Sequence, residues 1–235
     1  AGFDLALVGY SSSSAEGFLV AQHAAANTDR LAYLIAHRPG FVAPTLMARK
    51  IATFDQINDG RLAVHIITGK SDAEQQGDGD YSPKVERYAR ATEYLDVMRR
   101  TWTETEPFDF EGAFYRVTGA ASDVLPKQDP HPPLYFGGAS EGALTMGAEH
   151  CDVYAIYGEP LATTAERIAD FRQRAAAFGR TPGFNASFRP IIAETEAAAW
   201  DKARRILDGM AGARGWARQE NTTVPVDNAG RRIFQ

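Results

Sequence analysis

The chain has 235 residues, of which 44% are apolar and 23% are charged, and its formal net charge is −5. These values are typical of a globular protein and exclude a disordered or fibrous chain. The negative charge argues against nucleic acid binding, which requires a basic surface. No apolar run reaches the ~18 residues of a membrane span, no basic and apolar leader opens the chain, and the lone Cys151 fits a reducing compartment. We therefore expect a cytoplasmic protein with one continuous domain over residues 1–235.

Short apolar runs alternate with helical patterns along the chain. The first segments predict a strand over Phe3–Tyr10, which we expect to be buried, and a helix whose capping box is Ser13 and Glu16. Pro44 is expected to open the second helix and Asp59-Gly60 to end it. Five further strands are predicted at Leu31–Arg38, Arg61–Gly69, Pro132–Gly138, Cys151–Glu159 and Phe184–Glu194. The remaining helices are predicted at about Glu86–Thr103, Ser140–His150, Leu161–Phe178 and Glu196–Met210, and a hairpin at Phe108–Gly119.

This order of elements indicates the fold class. Alternating strands and helices form a parallel sheet that is covered by helices. A closed (β/α)8 TIM barrel needs eight such units, and about six are visible. The sequence therefore predicts an α/β TIM barrel that lacks its first and last β/α units.

Two segments do not fit the alternating pattern. Residues 70–85, KSDAEQQGDGDYSPKV, are polar and rich in glycine and aspartate. A loop of this length usually serves as a lid or a binding loop. Residues 211–235 read as an irregular insertion without a closing strand.

The segment from Gly137 to Gly142 is a candidate anion site. It consists mostly of small residues and lies between a predicted strand and a predicted helix. Small residues let a ligand approach the backbone, and the free N–H groups of a helix start attract phosphate. We therefore expect phosphate binding here.

Two alternatives to phosphate binding stay open. Residues 138–142, GASEG, match the G-x-S-x-G nucleophile elbow of α/β hydrolases. That fold needs a histidine downstream of the serine, and His150 would lie about 15 Å along the same helix. The other alternative is that Ser140 only caps the helix.

Polar residues follow several strands at their carboxyl ends, where a parallel barrel builds its active site. His37 and Arg38 could serve as a general acid and an anion clamp, or Arg38 could pair with a carboxylate of the protein. His65 lies in an apolar strand near its end, where it could be functional or simply hydrogen-bonded. Arg189 would be a charge inside an apolar strand, so we expect an anion beside it. Tyr157 could line the pocket or pack.

The sequence predicts no metal site. The five histidines are scattered and show neither His-x-His nor His-Glu-x-x-His spacing.

Several linked motifs carry a resemblance to a known family. They are HRPGFVAPTLMARKIATFDQINDGRLAVHIITG, DGDYSPKVERYARATEYLDVMRRTW, FDFEGAFYRV, PHPPLYFGGASEGAL and DVYAIYGEP, in that order. Over residues 2–207 the chain resembles the bacterial luciferase-like flavin monooxygenases, in particular their alkanesulfonate monooxygenase branch. The resemblance implies an eight-stranded barrel.

The resemblance also implies a chemistry. Reduced FMN would come from a separate flavin reductase and react with oxygen to a flavin peroxide, which would oxygenate a small organosulfur substrate such as an alkanesulfonate. C–S cleavage would then give an aldehyde and sulfite. A homo-oligomer is implied by analogy. Two other functions stay open: a deazaflavin- or FMN-dependent oxidoreductase of the same superfamily, and a non-catalytic flavin-binding barrel fragment.

The family motifs assign roles to individual residues of this chain. They imply contacts to the FMN phosphate from Gly138, Ala139, Ser140, Arg87 and Tyr88. They imply that the flavin ring is lined by His65, Thr68 and Glu74. Catalytic roles are implied for His37, Arg38, His65, Tyr157 and Arg189. The chain departs from the sulfonatase pattern, because His65 replaces an asparagine and Tyr157 a tryptophan.

Overall fold

The computed structural model describes residues 2–69 and 71–219, with side chains as far as residue 210. Its strands are β1 (Leu5–Val8), β2 (Ala32–His37), β3 (Leu62–Ile66), β4 (Phe108–Glu111), β5 (Arg116–Ala120), β6 (Leu134–Gly137), β7 (Val153–Tyr157) and β8 (Gly183–Ser187). Its helices are α1 (Gly17–Ala25), α2 (Pro44–Ile57), α3 (Asp72–Gly77), α4 (Lys84–Thr103), α5 (Glu141–His150), α6 (Leu161–Ala176) and α7 (Glu196–Gln219).

The main sheet has six parallel strands in the order β1-β2-β3-β6-β7-β8, and β4 and β5 form the separate antiparallel hairpin. Each connection within the main sheet contains at least one helix, as parallel pairing demands. The predicted α/β class and the partial TIM barrel are therefore confirmed. All six predicted strands and the hairpin are present.

The register assigns the side chains of the sheet to two faces. Tyr33 pairs with Leu62, and Ile35 with Val64. These side chains are buried against the helices and belong to one hydrophobic core with Met98 and other helix residues. The alternate positions lie on the opposite, inner face of the sheet because successive strand residues point to opposite sides.

Helix boundaries follow local chemistry. Pro44 is the first residue of α2, as predicted, because its missing N–H would have no helical partner there. Asp59 and Gly60 end that helix with φ angles of 58° and 76°. The predicted capping box at the start of α1 is wrong. Glu16 itself is the N-cap, and its carboxylate accepts a hydrogen bond from the Leu19 N–H at 2.8 Å.

The predicted buried strand over Phe3–Tyr10 is shorter and more open than expected. β1 is an edge strand with one neighbour, and Leu7 is 65% exposed. Only some of the large apolar residues of α2 face the core. Ile51 and Phe54 are buried, whereas Leu46 and Ile57 are exposed.

Two long segments are more regular than predicted. The stretch 70–85 contains helix α3, and α4 begins at Lys84. The predicted irregular region after residue 210 is wrong as far as residue 219, because α7 continues to Gln219. Residues 220–235 lie outside the described residues. In the described part of the chain, no helix combines the length and apolar character needed to cross a bilayer.

Candidate functional site

The turn between β6 and α5 has the geometry of an anion cradle. Gly138 has a φ of 144°, and a Cβ added to it would lie 2.9 Å from the Cβ of Ala143, so this position requires glycine. Ser140 is the N-cap of α5, and its Oγ accepts from the Ala143 N–H at 3.4 Å. Within the described residues, the Ala139 and Ser140 amides donate to no protein acceptor. These N–H groups are available to an anion.

Two predicted cofactor residues lie at this turn. The ring of Tyr88 would be 3.2 Å from a Cβ added at Gly142, and its hydroxyl 3.6 Å from one added at Gly138. The Nε2 atom of His65 would be 3.6 Å from a Cβ added at Gly137. The structure thus brings Tyr88 and His65 together with the glycine-rich turn, although they are distant in sequence.

His65 is the most distinctive polar group on the inner face. His65 pairs with Tyr135 on β6, and Tyr135 pairs with Val153 on β7. Val153 and Tyr157 lie on the same face of β7, because every second residue of a strand points to the same side. Burial lowers the pKa of His65, so the imidazole is neutral at pH 7. Its Nδ1 atom is buried and has no hydrogen-bond partner in the described residues. A buried polar atom without a protein partner is rare, and a bound ligand or an ordered water would satisfy it.

Tyr157 is 58% exposed at the end of β7. It lies on the same inner face as His65, two strands away. A phenol at that position can bind a substrate by packing and by one hydrogen bond.

His37 is not part of this group. It pairs with Ile66 on the helix-facing side of the sheet, whereas His65 pairs with Ala36 on the inner side. Its Nε2 atom lies 2.9 Å from the hydroxyl of Tyr94 on α4. Burial, with a smaller effect from Lys50, lowers the pKa of His37 to about 3. The structure therefore places His37 in the packing between sheet and helix.

Arg38 is buried and holds several protein groups. It forms an ion pair with Asp78 and donates to the Tyr10 hydroxyl at 2.7 Å. Its guanidinium also stacks on the rings of Tyr10 and Phe41, with the Cζ atom 4.3 and 4.4 Å from their centroids. Of the two alternatives left open for Arg38, the pairing with a protein carboxylate is the one observed.

Residues 71–83, which we call the lid segment, are attached to the barrel by three arginine–aspartate pairs. The pairs are Arg38–Asp78, Arg87–Asp72 at 2.9 Å and Arg90–Asp80 at 2.5 Å. Hydrogen bonds from Arg90 and Ser82 outweigh burial and lower the pKa of Asp80 to about 2. Sequence reasoning left open a carboxylate partner for Arg38 but missed the pairs of Arg87 and Arg90, although three aspartates within nine residues are a signal for them.

The lid segment contains Glu74, one of the residues predicted to line the flavin ring. The Glu74 carboxylate accepts from the Ser12 N–H at 3.0 Å, and Thr68, another predicted flavin-ring residue, is buried just before the segment. Next to Thr68, Gly69 is in contact with Gln75, since a Cβ there would overlap the Gln75 amide. That amide is fully buried, and neither of its polar atoms has a partner in the described residues.

Arg189 differs from its prediction. β8 ends at Ser187, whose carbonyl accepts the last ladder bond from the Gly158 N–H, so Arg189 follows the strand and is exposed. The expectation that it is a buried charge with an obligatory anion beside it is therefore wrong. Its guanidinium is solvated at the carboxyl edge of the sheet.

The hydrolase alternative finds no support in this geometry. His150 lies at the opposite end of α5 from Ser140, where burial lowers its pKa to about 3. Among the described residues, no histidine, cysteine, aspartate and glutamate side chains are grouped as a metal site would require.

Comparisons with known proteins agree with this architecture. The EDTA monooxygenase EmoA from Chelativorans sp. BNC1 superposes with a TM-score of 0.76 at 20% identity, covering 89% of this chain and 56% of that one. The riboflavin lyase RcaE, solved with modified FMN and riboflavin, gives 0.74 at 23% identity, covering 83% and 49%. An F420-dependent secondary alcohol dehydrogenase with an F420-acetone adduct gives 0.69 at 21% identity, covering 79% and 60%.

The chain spans about half the length of EmoA and of RcaE. Sequence identities this low establish the fold alone. The family assignment rests on sequence. The profile of the luciferase-like monooxygenases matches residues 1–232, nearly the whole chain. The chain with the glycine-rich turn, His65 and the lid segment therefore belongs to the luciferase-like monooxygenase family.

Proposed function

We propose that this chain forms the flavin site of a two-component monooxygenase, which uses reduced FMN from a separate reductase to oxygenate a small organosulfur compound. The observation that carries the proposal is the turn at residues 137–140, where two amides without protein partners lie beside Tyr88 and His65. We propose further that residues 1–235 act as one domain and that the protein is a homo-oligomer.

The residues present fit FMN. Its phosphate is a dianion that matches the Ala139 and Ser140 N–H groups at the start of α5, where the helix dipole also favours negative charge. Gly138 leaves room because a Cβ is absent. The buried Nδ1 atom of His65 offers a hydrogen bond to a heteroatom of the flavin ring system.

In this proposal the residues of the chain orient the bound flavin and exclude water from it. When bound, reduced FMN supplies the electrons with which molecular oxygen oxidises an organic compound. His65 stays neutral at pH 7 and holds one proton on its ring, so it can act as a donor or an acceptor at the reacting face. The lid segment is held by Arg38, Arg87 and Arg90, and we propose that it shields the bound flavin from water.

For Arg87, two roles are compatible with the contacts. It donates to Asp72 at 2.9 Å and to the Ser82 carbonyl at 2.6 Å, and its Nε atom has no partner in the described residues. We propose that this remaining donor faces the phosphate side of the site, while the other two hold the lid segment.

A deazaflavin-dependent oxidoreductase is the second candidate, because a dehydrogenase that uses F420 has the same fold. FMN is favoured because a terminal phosphate fits the short two-amide cradle. A non-catalytic flavin-binding protein is the third candidate, and it differs from the first two only by the lack of turnover.

The experiment is a titration of the protein with FMN, with reduced FMN under nitrogen and with F420, followed by tryptophan fluorescence. A sulfite-release assay over a panel of sulfonates with a generic flavin reductase then tests turnover. Tight binding of reduced FMN together with sulfite release supports the proposal. Binding of F420 alone would select the oxidoreductase, and flavin binding without any product would select the non-catalytic protein.

A further inference from the structure

A chain of hydrogen bonds runs from a half-buried arginine, Arg167, to the glycine-rich turn. The Nη1 group of Arg167 donates to the Tyr154 hydroxyl oxygen at 3.4 Å, and that hydroxyl donates to the Gly138 carbonyl at 2.7 Å. Arg167 is held from the other side by Glu159, with Nη2–oxygen distances of 2.8 and 2.9 Å. The three side chains come from β7, the loop after it and α6.

The interactions around Arg167 are well shielded. The side chains of Arg167 and Glu159 are 13% and 7% exposed. Burial disfavours the charged guanidinium, but its bonds to Tyr154 and Glu159 outweigh that effect and raise the pKa of Arg167. Arg167 is therefore a permanent cation at one end of this chain of bonds, and a charged donor strengthens the bonds that follow it.

The hydrogen bond from the Tyr154 hydroxyl orients the whole Gly138–Ala139 peptide group and not only the carbonyl that it contacts. The peptide bond between Gly138 and Ala139 is trans, so the Gly138 C=O and the Ala139 N–H point in opposite directions. Anchoring the carbonyl oxygen on Tyr154 therefore aims the Ala139 N–H away from Tyr154. Gly138 has no side chain and a φ of 144°, so the backbone alone would not hold this peptide plane in one orientation.

We propose that Tyr154 and Arg167 are positioning residues for phosphate recognition: they lock the Gly138–Ala139 peptide so that its N–H donates to the phosphate of the bound flavin. This inference rests on the proposed function. It assigns a role in cofactor selection to two residues outside the turn. The hydroxyl of Tyr154 acts through the peptide, and Arg167 acts through Tyr154.

The test compares two ligands that differ only in the phosphate, FMN and riboflavin. In Tyr154→Phe the ring still stacks on Phe136, at 4.6 Å between centroids, but the bond to Gly138 is lost. We expect the dissociation constant for FMN to rise about tenfold and that for riboflavin to stay unchanged, so the preference for FMN falls about tenfold. The matched control is Tyr33→Phe, which removes a buried hydroxyl that bonds Thr28 at 2.8 Å, away from the turn.

A second variant tests the role of Arg167 and keeps the inference falsifiable if Tyr154→Phe does not fold. Arg167→Met should also lower the FMN preference, by about threefold. In a Tyr154→Phe background the same substitution should lower it no further, because both act through one bond. Arg167→Lys, which keeps the charge, should recover part of the preference.

The outcomes separate the two proposals. Wild-type protein that binds neither flavin overturns the proposed function and this inference with it. Wild-type protein that prefers FMN, with an unchanged preference in Tyr154→Phe or, if that variant does not fold, in Arg167→Met, overturns this inference alone. A preference lost equally in Tyr33→Phe would also overturn it.

Discussion

The Nε2 atom of His37 and the hydroxyl of Tyr94 lie 2.9 Å apart in the packing between β2 and α4. This bond joins the strand end to the helix whose first turns carry Arg87 and Tyr88. It places His37 on the opposite side of the sheet from His65, the next histidine along the chain. The two histidines should therefore respond differently to substitution.

The first prediction concerns pH and stability. The pKa of His37 is lowered to about 3 by burial, against an ordinary value near 6.5. Between these values the unfolded chain binds a proton that the folded protein does not, so the free energy of unfolding falls as the pH decreases. The contribution of neutral His37 to the free energy of unfolding is complete above about pH 6.5. Below that pH it is lost at up to about 1.4 kcal/mol per pH unit.

Chemical denaturation between pH 4 and 8 measures this slope. The slope is proportional to the difference in bound protons between the unfolded and the folded state, and His37→Phe should reduce that difference by about one. The buried His150 maintains a remaining slope. The control is Ile51→Val, a substitution in the buried core that removes no titratable group and should leave the slope unchanged. An unaltered slope in His37→Phe would show that His37 is already protonated in the folded protein.

The second prediction contrasts His65 with His37. The Nδ1 atom of His65 makes no bond within the described protein. His65→Phe should therefore change the free energy of unfolding by less than about 1 kcal/mol but weaken flavin binding about tenfold, since one ligand bond is lost. Thermal melting and FMN titration of the same sample check both parts. A large loss of stability with normal binding would assign His65 a packing role.

The third prediction concerns the lid segment. Asp80→Asn would leave the half-buried Arg90 with a neutral partner, so we expect a loss of about 2 kcal/mol and faster proteolysis between residues 71 and 83. The exposed pair of Arg204 and Asp201 provides a control, because Asp201→Asn should cost about 0.5 kcal/mol or less. Equal effects of the two substitutions would mean that Asp80 does not hold the segment.

The fourth prediction concerns Gly138. Gly138→Ala introduces both an unfavourable φ and a close contact with Ala143, so FMN affinity should fall at least tenfold. Gly179→Ala is a control for the backbone effect alone, since its φ is 67° and no atom lies within 4 Å of an added Cβ. Gly179→Ala should destabilise the protein and leave FMN affinity unchanged.

The sequence was sufficient to predict the order of elements, because apolar strands and amphipathic helices differ in period. The positions of Pro44 and Asp59-Gly60 also predicted the bounds of α2, since both act through local backbone geometry. The glycine-rich turn was recognisable for the same reason. These features depend on residues that are close together in the chain.

Features set by distant residues were not predictable in this way. Arg38 could equally have faced a ligand, and only the folded chain shows that Asp78 reaches it. Arg189 looked like a strand residue because Phe188 and Ile191 flank it, but the pairing with β7 ends at Ser187. In the sequence Tyr154 is one residue of an apolar run, and its bond to Gly138 depends on how β6 and β7 pair.

The central claim is that backbone amides at the start of α5 bind the flavin phosphate, and Ser140→Asp tests it most directly. Aspartate is as good an N-cap as serine, so the fold should persist, while its charge should repel a dianion. Ser140→Asn provides a neutral cap of similar size as the control. Calorimetric titration should show FMN binding in the wild type and in Ser140→Asn but none in Ser140→Asp. FMN affinity in a folded Ser140→Asp variant equal to that of the wild type would contradict the account.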